Sequence, residues 1–273
     1  MNKLSFSLLT FLLFLAGCAN FDTSNLQSAK PLPAGERRLS WQVAPALSYA
    51  HLIPLQNDTG ETIAEGDEHI SIGIANRPRI TIGLGRGMEL SGAFSFYMGT
   101  EYNIAQIGSH LKHDTPAAML KLQAKKSFPI GERYHLAIAP TYTANNGVFT
   151  PRRSACKFAA KGWEIPVIYT KVIPNAEGNH RHSFTMRYAE AVIKSEVKYI
   201  PAIYDGSDMS IYKQPDHTMY RAALIYTFGY EKAKKRRFFD VGLELVIVGE
   251  RGQIMPIFGI NWDIAGMKEI PWK

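Results

Sequence analysis

From Leu39 onward, apolar and polar residues alternate with a period of two. Leu39, Trp41, Val43, Pro45, Leu47 and Tyr49 fall on one face, and Ser40, Gln42, Ala44, Ala46 and Ser48 on the other. Side chains of an extended chain point to opposite sides in turn, so this pattern predicts a β-strand with one apolar face. The pattern returns over 79–84, 88–98, 117–128, 134–143, 164–173, 182–199, 219–230, 239–247 and 254–264. That makes about ten strands averaging about ten residues, the length a tilted strand needs to cross a bilayer, where soluble strands are commonly about five or six. Residues 69–75 are strand-like, but Asn76 and Pro78 predict that this piece is cut off from the next strand. In 182–199 the alternation of Phe184, Met186 and Tyr188 slips near Ala189, which predicts a bulge or a strand running beyond a membrane.

The connections alternate in length. Short turns are predicted at Gly85-Arg86-Gly87, over 129–132, over 175–179 and at the basic run Lys232, Lys234, Lys235, Arg236 and Arg237. Long loops are predicted over 56–68, 99–115, 145–162 (with Cys156) and 200–215. Long loops at one end and tight turns at the other mark membrane barrels, and in hydrocarbon every backbone group must pair, so such a sheet has to close. The predicted fold is all-β, an antiparallel transmembrane β-barrel of about ten strands (about eight to twelve) over 39–266, with a short tail over 267–273. The long loops are expected to face outside, and aromatics near strand ends, such as Trp41, Tyr49, Tyr97, Tyr142, Tyr230 and Trp262, suit interfacial girdles. A lipid-tethered β-sandwich is the alternative, since its strands also carry one apolar face.

The first residues follow a different pattern. After Lys3 an apolar run from Leu4 to Leu15 is closed by Ala16, Gly17 and Cys18. This resembles a bacterial lipoprotein signal peptide with its lipobox. The resemblance implies removal of 1–17, acylation of Cys18 with palmitate-type chains, and a flexible tether over 18–38, broken by Pro31, Pro33 and Gly35. The stretch from Ser28 to Glu36 resembles the lead-in of lipid-anchored outer-membrane barrels of Gram-negative bacteria, a family without a characterised function. Implied partners are outer-membrane lipids and lipopolysaccharide, with the barrel-assembly and lipoprotein-sorting machinery. There are two cysteines, so an acylated Cys18 leaves Cys156 without an intrachain partner and excludes a disulfide scaffold.

The formal net charge of +7 would suit nucleic acid in a cytoplasmic protein. In an exported chain it points instead to anionic lipid, and no nucleic-acid partner is expected. Gly83-x-Gly85-x-Gly87 joins two strands and lacks the following helix of a phosphate loop, so no cofactor is expected. The predicted lumen carries Glu89, Lys121, Lys125, Arg187, Arg221, Asp240, Glu244 and Asp263. In a ring of about ten strands, such mixed charges pair across the interior and fill it, which disfavours an open porin. The expected role is therefore structural, binding or narrow solute passage at the outer membrane. The alternative is a hydrolase or acyl-modifying enzyme at the loop rim, using His110, His113 and Asp114 with Asp216 and His217. The chain is similar to ten-stranded outer-membrane proteases in strand count, without a shared motif. The spacing His110-x-x-His113-Asp114 also suits metal ligands, but two histidines and a carboxylate in a loop are common, and no metal is expected.

Overall fold

The computed structural model describes residues 27–52, 55–56, 62–64, 67–103, 117–149, 154–176, 178–199, 211–213, 216–232, 235–248 and 251–263. The apolar N-terminal run, Cys18, His110, His113 and Asp114 lie outside these residues. The described chain is built of strands: β1 (Arg37–Leu52), β2 (Asp67–Gly85), β3 (Met88–Asn103), β4 (Ala117–Pro129), β5 in two runs (Tyr134–Ile138 and Thr141–Phe149), β6 (Ser154–Asn175), β7 (Gly178–Tyr199), β8 (His217–Lys232), β9 (Lys235–Val248) and β10 (Arg251–Asp263). Each pairs antiparallel with its sequence neighbours, and β10 pairs with β1, so the sheet closes on itself. Three short pieces, Leu55–Gln56, Thr62–Ala64 and Ile211–Lys213, lie at the loop end.

The register fixes the width of the barrel. Paired residues lead around the ring from Ser40 through Arg79, Ala93, Lys121, Thr143, Gly162, Ala191, Met219, Val248 and Arg251. Carrying the β10–β1 register onward returns to β1 at Leu52, about twelve residues from the start. With a rise of about 3.3 Å and a strand spacing of about 4.8 Å, that stagger tilts the strands by about 40° and sets a backbone radius of about 10 Å. Inward side chains reach most of the way to the axis of such a ring.

The alternation read from sequence is the partition between lumen and lipid. Polar Ser40, Gln42, Arg79, Gln123 and Thr185 are buried inside, while Leu90, Phe94, Leu122, Phe184, Leu224 and Leu243 are exposed outside. A sandwich would bury its apolar faces; here they face outward on every strand around a closed ring, which makes this a transmembrane barrel. On β6 the apolar outer positions Trp163, Ile165, Val167 and Tyr169 lie between exposed Lys161 and Lys171. At the tilt above, that interval is about 25 Å high, the height of a membrane barrel's apolar band.

Several expectations change. Asn76 and Pro78 do not cut β2: Pro78 pairs with Trp41 in an unbroken β1–β2 ladder, and the β2–β3 register breaks off between Asn76 and Arg79. A closed sheet tolerates the missing N–H because only one ladder loses a bond. β7 has no slip at Ala189, since its registers with β6 and β8 are continuous. The pattern misleads there because the lumen itself turns apolar, with Met119, Ala160, Ala191, Ile193, Met219 and Val246 clustered inside. Cys156 is in β6, paired with Phe149 and Val197, and not in a loop.

Candidate functional site

The chain before β1 enters the lumen. Gly35 N–H donates to the Gly83 carbonyl at 2.8 Å, and Gly83 N–H donates to the Glu36 carbonyl at 2.9 Å, which fastens the segment at the turn-end rim. Gly83 has to be glycine here, because a Cβ would stand 2.1 Å from the Pro33 carbonyl oxygen and 2.9 Å from that of Leu32. Deeper in, lumen side chains hold the segment by its backbone. Leu32 N–H donates to Glu89 Oε1, Ala29 N–H donates to Thr170 Oγ1 at 2.8 Å, and Lys125 Nζ donates to the Ser28 carbonyl at 2.8 Å. Ala29 packs against Ala137, Ala139 and Ile168. Gln27 then lines a small chamber with Arg77, Arg79, Lys121, Gln123 and Glu164. Over 27–36 the expected flexible tether therefore sits inside the ring as a plug, its backbone groups taken up by a lumen that offers both donors and acceptors.

Above and around the plug runs an ion-pair network. Lys125 pairs with Glu89 at 2.7 Å and Lys121 with Glu164 at 3.2 Å. Glu244 accepts from Arg187 at 2.7 Å and from Arg221 at 2.9 Å, and Arg221 also approaches Glu164 at 3.6 Å. Thr227 donates to Asp240 at 2.6 Å. At the turn end Arg38 pairs with Asp263 at 2.8 Å, while Glu231 takes both Arg181 and Arg236, the latter at 2.7 Å. Lys30, half-buried in the plug, has its pKa pushed below the usual lysine value. Burial is the main cause and Arg181 and Arg236 add to it, against the opposing pull of Glu231.

Of the eight residues expected in the lumen, Glu89, Lys121, Lys125, Arg187, Arg221, Asp240 and Glu244 are buried, and Asp263 is half-buried in the lining of the larger chamber. The residues that the sequence reading missed are Arg77, Arg79, Glu164, Arg181, Glu231 and Arg236. Their signal was present, because Glu164 alternates with Trp163 and Ile165, and Arg77 and Arg79 share a face on either side of Pro78. The basic run 232–237 is not wholly solvated: Arg236 turns inward and is 9% exposed, whereas Arg237 faces out. Of the five residues considered for catalysis, three lie outside the described residues. Asp216 is exposed at the loop end and pairs with Lys194 at 3.0 Å, and His217 opens β8. No group of three or more metal-binding side chains occurs among the described residues. His180 and His182 lie on the outer surface against Phe228, Tyr230 and Tyr226, within the aromatic band at the turn end.

No family model and no curated protein matches the chain. Solved structures of outer-membrane barrels resemble it. The outer membrane protease OmpT from Escherichia coli has a TM-score of 0.47 and 10% identity, over 86% of this chain and 97% of that one. The translocator domain of the autotransporter NalP from Neisseria meningitidis has a TM-score of 0.44 and 10% identity, over 85% and 89%. The beta domain of the Bordetella autotransporter BrkA has a TM-score of 0.43 and 11% identity, over 85% and 99%.

Proposed function

We propose that this protein is a Gram-negative outer-membrane barrel closed by its own N-terminal segment, serving as a narrow solute passage that is shut at rest and performing no catalysis. The plug carries this reading: three lumen side chains hold the backbone of Ser28, Ala29 and Leu32, and the ion pairs fill the space around it. Two chambers beside the plug, lined by described residues, have volumes of about 10 and 60 Å³, too small for a continuous aqueous channel. Outer-membrane placement rests on the apolar band together with the signal-peptide resemblance. Exposed Arg37, Arg86, Arg133, Lys171 and Arg237 ring the turn end, which suits a leaflet of anionic phospholipid and supports an orientation with the long loops outside.

Planar-bilayer recording tests the plug. Wild-type protein should be electrically silent. Gly83→Ala, which drives a methyl into the Pro33 carbonyl, should produce small reproducible steps while keeping heat-modifiable gel migration. A large unselective conductance in the wild type would refute the closed state. The lipid anchor is tested by metabolic labelling with a fatty-acid analogue: labelling should vanish in Cys18→Ala, and equal labelling of both proteins would remove the anchor from this reading.

A further inference from the structure

The charges inside the barrel do not balance. Among the described residues, eight cationic side chains are buried against four buried carboxylates. Cations also outnumber carboxylates around the larger chamber, which lies between the plug and the walls of β1, β2, β3, β4, β9 and β10. Its lining includes the cations Lys30, Arg38, Arg79, Lys125 and Arg236, against the carboxylates Glu89 and Asp263. Both carboxylates are already engaged, Glu89 with Lys125 and Asp263 with Arg38.

Arg79 is 8% exposed, and its partners are neutral, Ser91 Oγ at 2.7 Å and Gln123 Oε1 at 2.5 Å, with no carboxylate among the described residues. Its hydrogen bonds all go to neutral oxygens, and Glu89, which attracts it across the chamber, is already paired with Lys125, so its lost hydration is only partly compensated. Gln42, 1% exposed on β1, lines the same chamber, and neither its amide nitrogen nor its amide oxygen has a hydrogen-bond partner among the described residues. A planar guanidinium fork and a carboxamide N–H form a natural cradle for an ion with several oxygens.

We propose that this chamber binds a small free oxyanion of the phosphate or carboxylate class, held by Arg79 and Gln42 and neutralising the cationic wall. The site rests on the seated plug, because Lys30 and Leu32 form one side of it. An ion bound there ties the plug to the barrel wall and stabilises the closed state.

The test uses full-length protein in detergent, with inorganic phosphate as the probe and sodium chloride matching the ionic strength. About 20 mM phosphate should raise the midpoint of heat-induced gel conversion by a few degrees over chloride, since a ligand of the folded state shifts unfolding by mass action. Arg79→Gln should weaken the apparent affinity at least about tenfold, as expected when a charge-assisted contact is lost. Gln42→Leu, which changes no charge, should also weaken it and serves if the first variant does not fold. Absence of a phosphate-specific shift in the wild type, or an unchanged shift in both variants, would overturn the proposal. The silence or conductance of Gly83→Ala reports on the plug separately, so a seated plug without phosphate binding would reject the site alone.

Discussion

Glu244 shows how tightly the lumen is written at the level of single residues. It is fully buried, and its carboxylate faces Arg187 at 2.7 Å and Arg221 at 2.9 Å. Replacing it with glutamine keeps the shape and removes the charge, leaving two guanidinium groups buried side by side. Breaking a buried pair in this way costs roughly 3–5 kcal/mol, because the stranded cation cannot recover its hydration. Glu244→Gln should therefore lower the urea midpoint of barrel unfolding in vesicles, and a midpoint equal to wild type would show that the network is solvated. Glu244 was legible from alternation alone, because Leu243 and Leu245 face lipid on either side of it. Its partners were only partly legible. Period-two reading assigns a face to each residue, but pairing across the ring depends on the stagger, which no single strand displays. Arg79 was hidden for a further reason: the run Asn76-Arg77-Pro78 looked like an interruption, although a closed sheet absorbs the proline.

At the level of the strands, the seam is the weakest join. Among the described residues the ladder between β1 and β10 has four paired positions, from Ser40 with Asp263 to Val43 with Ile260, whereas β1 and β2 are paired along all of β1. Val43 and Ile260 both point outward and are directly opposed, so a cysteine pair there tests the closure without touching the lumen. In a protein with Cys156 replaced by serine, Val43→Cys with Ile260→Cys should cross-link under mild oxidation and raise the temperature of gel conversion. Failure to cross-link in the folded protein would place the two edges apart. The strands read well where they cross the apolar band and poorly beyond it. β6 and β7 have 22 residues each and extend past that band. Outside hydrocarbon there is no need for an apolar outer face, so 145–162 read as a loop although its backbone remains largely paired.

At the level of the whole molecule, the direction of the plug matters more than its presence. Glu36 lies at the rim and Gln27 lies among Arg77, Lys121 and Glu164, so the chain leading to Gln27 departs from inside the ring. Cys18 is nine residues earlier, a contour of at most about 30 Å. If Cys18 is acylated, the anchor and the plug are the two ends of one short leash. A pull on the lipid is then transmitted along the backbone to the contacts of Ser28 and Ala29 with Lys125 and Thr170. With Cys18 acylated, lateral tension in the bilayer, which thins it and moves its surface relative to the barrel, would have a mechanical path to the seat of the plug.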